Sequence, residues 1–146
     1  MSRTEIDEGD FSLPIVLPEL VVTPTHTQIF MFSAVTWNRH HIHYSRDAAI
    51  AEGLQDVVVQ RALIGNYFVR LLTNWLRDSG EIKNISWKVL SSAVPNRKLR
   101  CQGVIASHES AAAADPGHLA CEMTMINDAG ETVATGRATV CIRDFS

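Results

Sequence analysis

The chain has 146 residues, 46% of them hydrophobic and 20% charged, with a formal net charge of −3. These values fit one globular domain built on a single core. They argue against nucleic acid as a partner, because phosphate binding needs concentrated cations and no lysine-rich block occurs. They also argue against a membrane protein, because no apolar run approaches the roughly 20 residues that span a bilayer.

Residues 1–12 are acidic and polar, unlike a secretory signal, and read as a flexible tail ahead of a single domain at 13–146. Glu19 to Thr23, between Pro18 and Pro24, reads as a short edge strand. Thr25 or Thr27 caps a helix running to about Thr36, with Ile29, Phe30, Phe32, Ser33 and Val35 on its apolar side. A polar loop follows. Asp47 to Glu52 is a short alanine-rich helical turn closed by Gly53. Val57-Val58-Val59 leads into a long helix from Gln60 to Leu76. Its apolar residues (Leu63, Ile64, Tyr67, Phe68, Leu71, Leu72, Trp75, Leu76) make a stripe broad enough to require a sheet as cover. Ser79-Gly80 ends it. Four strand-like segments remain, Ile82 to Ala93, Lys98 to Glu109, His118 to Ile126 and Glu131 to Arg143. A loop at Ser110 to Gly117 separates the middle two, and a tight Asn127-Asp-Ala-Gly130 hairpin the last two.

Helices first and antiparallel strands later indicate α+β. A curved antiparallel sheet wrapped around one long central helix is the hot-dog fold. Its open edges are commonly covered by a second copy, so a dimer is expected. Cys101, Cys121 and Cys141 are odd in number and lie in strand-like runs, which fits buried thiols in a reducing cytoplasm.

The loop carries the chemistry. Asn38, His40, His41, His43 and Tyr44 place an amide, three imidazoles and a phenol within seven residues, shortly before the long helix. An imidazole moves protons near neutral pH, and a helix N-terminus offers N–H donors to an oxygen on which charge develops. The competing reading of His43 is a helix cap or the partner of a buried carbonyl. His40 reads as holding the loop's shape, and His41 as exposed. His26, His108 and His118 have no clustered partners and read as surface residues. Three imidazoles can bind zinc, but neighbours in a short loop rarely all converge and no carboxylate completes a set, so no metal is expected. Arg97, Lys98 and Arg100 are the densest basic cluster, either a solvated strand end or a contact for phosphates.

The run Phe32, Ser33, Ala34, Thr36, Asn38, His40, Ile42, His43 and Tyr44 resembles a pattern, Phe-Ser-Ala-Leu-Thr-Phe-Asn-x-His-x-Ile-His-Tyr, found in a subgroup of the MaoC-like hot-dog hydratases and dehydratases of acyl thioesters. That subgroup includes mitochondrial 3-hydroxyacyl-thioester dehydratases and mesaconyl-CoA hydratases, and the resemblance covers residues 15–143. Asp56-Val-Val-Val59, Asn74-Trp75 and Ile82-Lys-Asn-Ile85 are similar to the small subunit of actinobacterial steroid side-chain enoyl-CoA hydratases, which pair two different MaoC-like chains. The resemblance implies reversible hydration of a trans-2-enoyl-CoA, with coenzyme A as part of the substrate and no other cofactor, by a homodimer or a hetero-oligomer. It implies His43 as acid-base and Asn38 as a water-orienting amide. The backbone N–H groups of Arg61 and Ala62 become oxyanion donors, and Gln60, Trp37 and Tyr67 line the substrate. Arg97, Lys98 and Arg100 then meet the CoA phosphates. Two positions depart from the family pattern. Asn38 stands where the better-known motif has Asp, and Gln60-Arg61 where His-Gly usually opens the central helix. The alternatives are a catalytically reduced subunit that completes an acyl tunnel for an active partner, or an acyl-CoA thioesterase using Glu52 or Asp56.

Overall fold

The computed structural model describes residues 12–108 and 117–143, apart from the side chain of His108. All but Ser12 of the expected tail at 1–12, and most of the loop at 110–117, lie outside the described residues. In chain order the elements are β1 (Ile15–Val16), β2 (Leu20–Val22), α1 (His26–Thr36), a 3-10 turn (His41–His43), α2 (Arg46–Ala51), α3 (Arg61–Leu76), β3 (Gly80–Val89), β4 (Leu99–His108), β5 (His118–Asn127) and β6 (Thr132–Ile142). Each helix begins close to where the sequence places it. Thr25 accepts a hydrogen bond from the Gln28 N–H at the start of α1, and Ser45 does the same for Ala48 at α2. β1 and the 3-10 turn were not expected. Two residues and one turn carry too little periodicity to read.

The six strands form one antiparallel sheet in the order β1-β4-β5-β6-β3, with β2 also on β4. β1 and β2 act as one interrupted edge strand. Ile15 pairs with Ile105 and Leu20 with Cys101, with Pro18 breaking the run between them. Register shifts at Ile82/Asn84, Ile105/Ser107 and Met125/Ile126 bend and twist the long strands, as bulges do. That curvature lets the sheet wrap α3. The helix presents Ile64, Phe68, Leu71 and Leu72, each at most 1% exposed, to Leu99, Ile105, Leu119, Met123, Met125 and Val140 of the sheet. Burying each such side chain stabilises the fold by about 1.5–3 kcal/mol. The Asn127–Gly130 hairpin is as expected, with Gly130 at φ 81°, a conformation that suits glycine.

This is the hot-dog arrangement, α+β, as the sequence implied. Among the described residues no helix is long and apolar enough to cross a membrane.

Candidate functional site

The site is built where α1 ends and α3 begins. The N–H of Trp37, which stands in the left-handed region at φ 56°, bonds back to the Ser33 carbonyl and stops α1. The chain then folds into a loop held by Asn38, whose Oδ1 accepts the His40 backbone N–H at 3.2 Å. So the loop's shape is held by Asn38. The His40 ring faces outward instead, its Nε2 3.4 Å from Glu52 Oε1 at the end of α2.

His43 is turned inward and is 8% exposed. Its Nδ1 lies 2.7 Å from the Val58 carbonyl oxygen. A carbonyl can only accept, so Nδ1 carries the proton and, in the neutral ring, Nε2 keeps its lone pair. Burial holds the imidazole below its ordinary value of 6.5; the Val58 bond opposes this and the nearby His40 adds to it. The expectation that His43 satisfies a buried carbonyl is met at Nδ1, and that same bond fixes a basic Nε2. Val58 is itself anchored, its N–H on the Ile42 carbonyl at 3.0 Å, while the Val59 N–H bonds to Ala93 at 2.8 Å. His43 is therefore pinned to a residue two positions before Gln60, the N-cap of α3.

No side chain caps α3, and its first described backbone bond runs from the Ile64 N–H to the Gln60 carbonyl. The N–H groups of Arg61 and Ala62 precede that bond, as helix geometry requires. Gln60 is 1% exposed and faces α1, not a cleft. Its Nε2 donates to the Ile29 carbonyl at 2.7 Å and to Ser33 Oγ at 2.8 Å, and its Oε1 is buried without a partner in the structure. Arg61 is exposed. Its carbonyl accepts from Trp87 Nε1 at 3.0 Å and its guanidinium reaches the Trp87 carbonyl at 3.3 Å, which ties the helix start to β3.

The remaining expected site residues spread out. Trp37 is 74% exposed with the Arg39 guanidinium 5.8 Å over its ring. Tyr67 lies in the core. Its hydroxyl donates to Gln28 Oε1 at 3.0 Å, and burial pushes the phenol up to about 12. Arg97 forms a two-point pair with Asp128, at 2.7 and 2.9 Å, and Arg100 pairs with Glu19 at 3.2 Å. Of the three expected phosphate contacts, two guanidinium groups are thus already matched to carboxylates, and Lys98 is exposed. His26, read as an unclustered surface residue, joins a small cluster. Its Nε2 is 3.5 Å from Asp56 and its Nδ1 3.3 Å from the Asn96 amide. Twelve and thirty residues separate the His40–Glu52 and His26–Asp56 partners, so no local motif marks these pairs. Among the described residues no three His, Cys, Asp or Glu side chains converge as a metal cluster would.

Three surface grooves stand out. One, of about 450 Å³, is lined by Trp87, Met123, Gly136 and Arg137; another, of about 330 Å³, by Asn84, Ser107, Cys121 and Thr139. The third, of about 360 Å³, runs along Leu54, Val58, Ala93, Arg97 and Asp128. His43 lines none of the three, although Val58, which holds it, lines the last.

The family model for hydroxyacyl-thioester dehydratase, type 2, matches residues 16–95, more than half of the chain. The chain belongs to that family. No curated protein matches it by sequence. The fold is shared with MaoC-like dehydratases of known structure. The ChsH1-ChsH2 complex from Mycobacterium tuberculosis is similar over 90% of this chain and 98% of its own, at 22% identity and a TM-score of 0.80. The (R)-hydratase from A. caviae, involved in PHA biosynthesis, is similar over 97% and 100%, at 13% identity and 0.78. The C-terminally truncated HadBC (3R-hydroxyacyl-ACP dehydratase) complex from M. tuberculosis follows over 88% and 94%, at 16% and 0.69. At these identities the likeness establishes the hot-dog fold. Family membership supports a hydratase or dehydratase activity, a lyase reaction. The matched span contains both the His43 loop and the start of α3.

Proposed function

We propose that the chain catalyses the reversible hydration of a trans-2-enoyl thioester, carried by coenzyme A, to the 3-hydroxyacyl thioester, in the cytoplasm. His43 Nε2 takes the proton from water as its oxygen attacks Cβ. Asn38 orients that water through its amide, which cannot itself move the proton. As the double-bond electrons move toward the thioester, the Arg61 and Ala62 N–H groups at the uncapped start of α3 stabilise the charge on its oxygen. The observation that carries this reading is the Nδ1 bond of His43 to Val58. It fixes the basic nitrogen of a buried, neutral imidazole and ties it to the segment that opens α3.

The test is spectroscopic. Purified protein mixed with crotonyl-CoA and with longer or bulkier enoyl-CoAs removes the absorbance of the conjugated double bond and yields a 3-hydroxyacyl-CoA. No loss of absorbance with any of them, alone or with a second hot-dog chain added, would rule the reading out.

A second form of this reading is favoured by the outer strand. β3, ten residues long, pairs only with β6 among the described strands. His43 lines none of the three grooves described above. A partner hot-dog chain along β3, identical or different, then completes the acyl channel. Activity that appears only on mixing with a second MaoC-like chain supports the hetero-oligomer, and activity of the pure protein supports the homodimer. The thioesterase alternative receives no such support. Asp56 accepts the Val57 N–H at 2.8 Å and faces His26 and Arg46, while Glu52 faces His40.

A further inference from the structure

His40 and His43 stand edge to face, with ring centroids 5.8 Å apart and planes at 87°. They differ in every physical respect that matters to a proton. His43 is buried, with Nδ1 held by a carbonyl and Nε2 left basic. The His40 side chain is 55% exposed, and its Nε2 faces the Glu52 carboxylate, itself 54% exposed.

Adding water across a double bond moves two protons, one off the attacking water and one onto Cα. A single imidazole with one available nitrogen manages both only in sequence, handing on at Cα the proton it has just received. Asn38 does not help, because an amide neither gains nor loses a proton near neutral pH and its Oδ1 already accepts the His40 N–H.

We propose that His40 is the second acid–base group of this site, giving a proton to Cα while His43 takes one from water, with Glu52 as the positioning residue that holds the donor. The inference rests on the hydratase reading above.

The step balances. An O–H bond of water breaks, its proton goes to His43 Nε2, and the oxygen bonds to Cβ. The double-bond electrons pass through Cα to the thioester oxygen, then return to form a C–H bond at Cα with the proton from His40 Nδ1. This leaves His43 protonated and His40 neutral. One proton passing from the first to the second through solvent restores both, and nothing is oxidised or reduced. Dehydration runs the same sequence backwards. The two environments favour the required starting state. Burial keeps His43 neutral and able to take the proton from water, while the exposed His40 stands beside the Glu52 carboxylate.

Three variants test the assignment, and because both side chains are exposed none should unfold the chain, which circular dichroism checks. His40→Ala is expected to lower kcat on the order of 10²-fold, the lower range for a general acid, with KM little changed. Free imidazole in the buffer should restore part of that rate. His40→Gln should remove the alkaline limb of the kcat profile for hydration, which reports the donor, and keep the acidic limb, which reports His43. Glu52→Gln should lower kcat by less than His40→Ala does, with KM little changed, because the donor ring loses the carboxylate that holds it. An unchanged kcat in His40→Ala would overturn the proposal. So would a loss that imidazole does not rescue while both limbs survive in His40→Gln, since that pattern belongs to a residue that only shapes the loop. If the unsubstituted chain turns over no enoyl thioester, alone or with a partner chain, the hydratase reading fails first and this assignment falls with it.

Discussion

His43 has one nitrogen committed to structure and one free for chemistry, and the division follows from a single carbonyl. Were Nδ1 turned to solvent, the tautomer would be unfixed and the ring free to rotate. His43→Ala is accordingly expected to lower kcat by more than about 10²-fold while leaving substrate binding largely intact, as steady-state kinetics on an enoyl-CoA will show. Its pH behaviour has a definite sign. With the folded value depressed below 6.5, the ring stays neutral at pH 7 and the acidic limb of activity lies below 6.5. The unfolded chain binds the proton more readily, so this contribution to stability is present above 6.5 and declines as pH falls through the folded value. Melting curves from pH 7 down to pH 5 should show that decline, and His43→Gln should flatten it. Near the same loop, Ser33 accepts one of two hydrogen bonds from the buried Gln60 amide. Ser33→Ala leaves the Gln60 amide nitrogen with only its bond to the Ile29 carbonyl, and chemical denaturation should report a loss of roughly 1 kcal/mol.

Between elements, the join of α3 to β3 depends on an absent side chain. Gly65 lies against the Trp87 indole, and a Cβ there would come within 2.3 Å of Cζ2. A shift is unavoidable, and the indole is a rigid ring already bonded to the Arg61 carbonyl. Gly65→Ala trades a gain in helix propensity of about 1 kcal/mol against overpacking of about 1–3 kcal/mol. The clash should win or draw level, and the Trp87 Nε1 bond at the start of α3 is the contact most exposed to the displacement. Denaturant midpoints of Gly65→Ala alone and combined with Trp87→Leu should differ from additive behaviour, because the second change removes what the first collides with. α1 shows the opposite condition. It carries apolar residues on both sides, with Ile29 buried and Phe30, Met31 and Val35 at least half exposed. Among the described residues nothing covers the face that carries Phe30, Met31 and Val35.

For the whole molecule, the sheet closes one long edge and leaves another. β4 is covered by β1 and β2, whereas β3, which carries Lys83 and Lys88, pairs only with β6 among the described strands. Lysines at an edge discourage indiscriminate pairing but permit a specific partner. Sedimentation at micromolar concentration is expected to give at least twice the 16.1 kDa chain mass, or to do so once a second hot-dog chain is present. A stable monomer under both conditions would oppose a completed acyl channel.

Much of this was legible in the sequence because the signals are local. The α3 stripe, the Thr25 cap and the Asn127–Gly130 hairpin depend on residues three or four apart, and the run from Phe32 to Tyr44 carries the family likeness within thirteen positions. Other features depend on contacts between distant residues. Gln60 reaches back across thirty-one positions to Ile29, which turns a side chain expected to meet substrate into a buried tie between helices. Arg97 and Arg100 look like a cationic cluster along the chain but pair with Asp128 and Glu19, which only the sheet brings near. The sequence by itself determined the three helices, the long strands, the hot-dog class and the histidine-bearing loop, because periodicity and spacing encode them. Tertiary structure decided which nitrogen of His43 is basic, which imidazole stays in water and which charges are already neutralised, because each of these depends on a partner that only folding supplies.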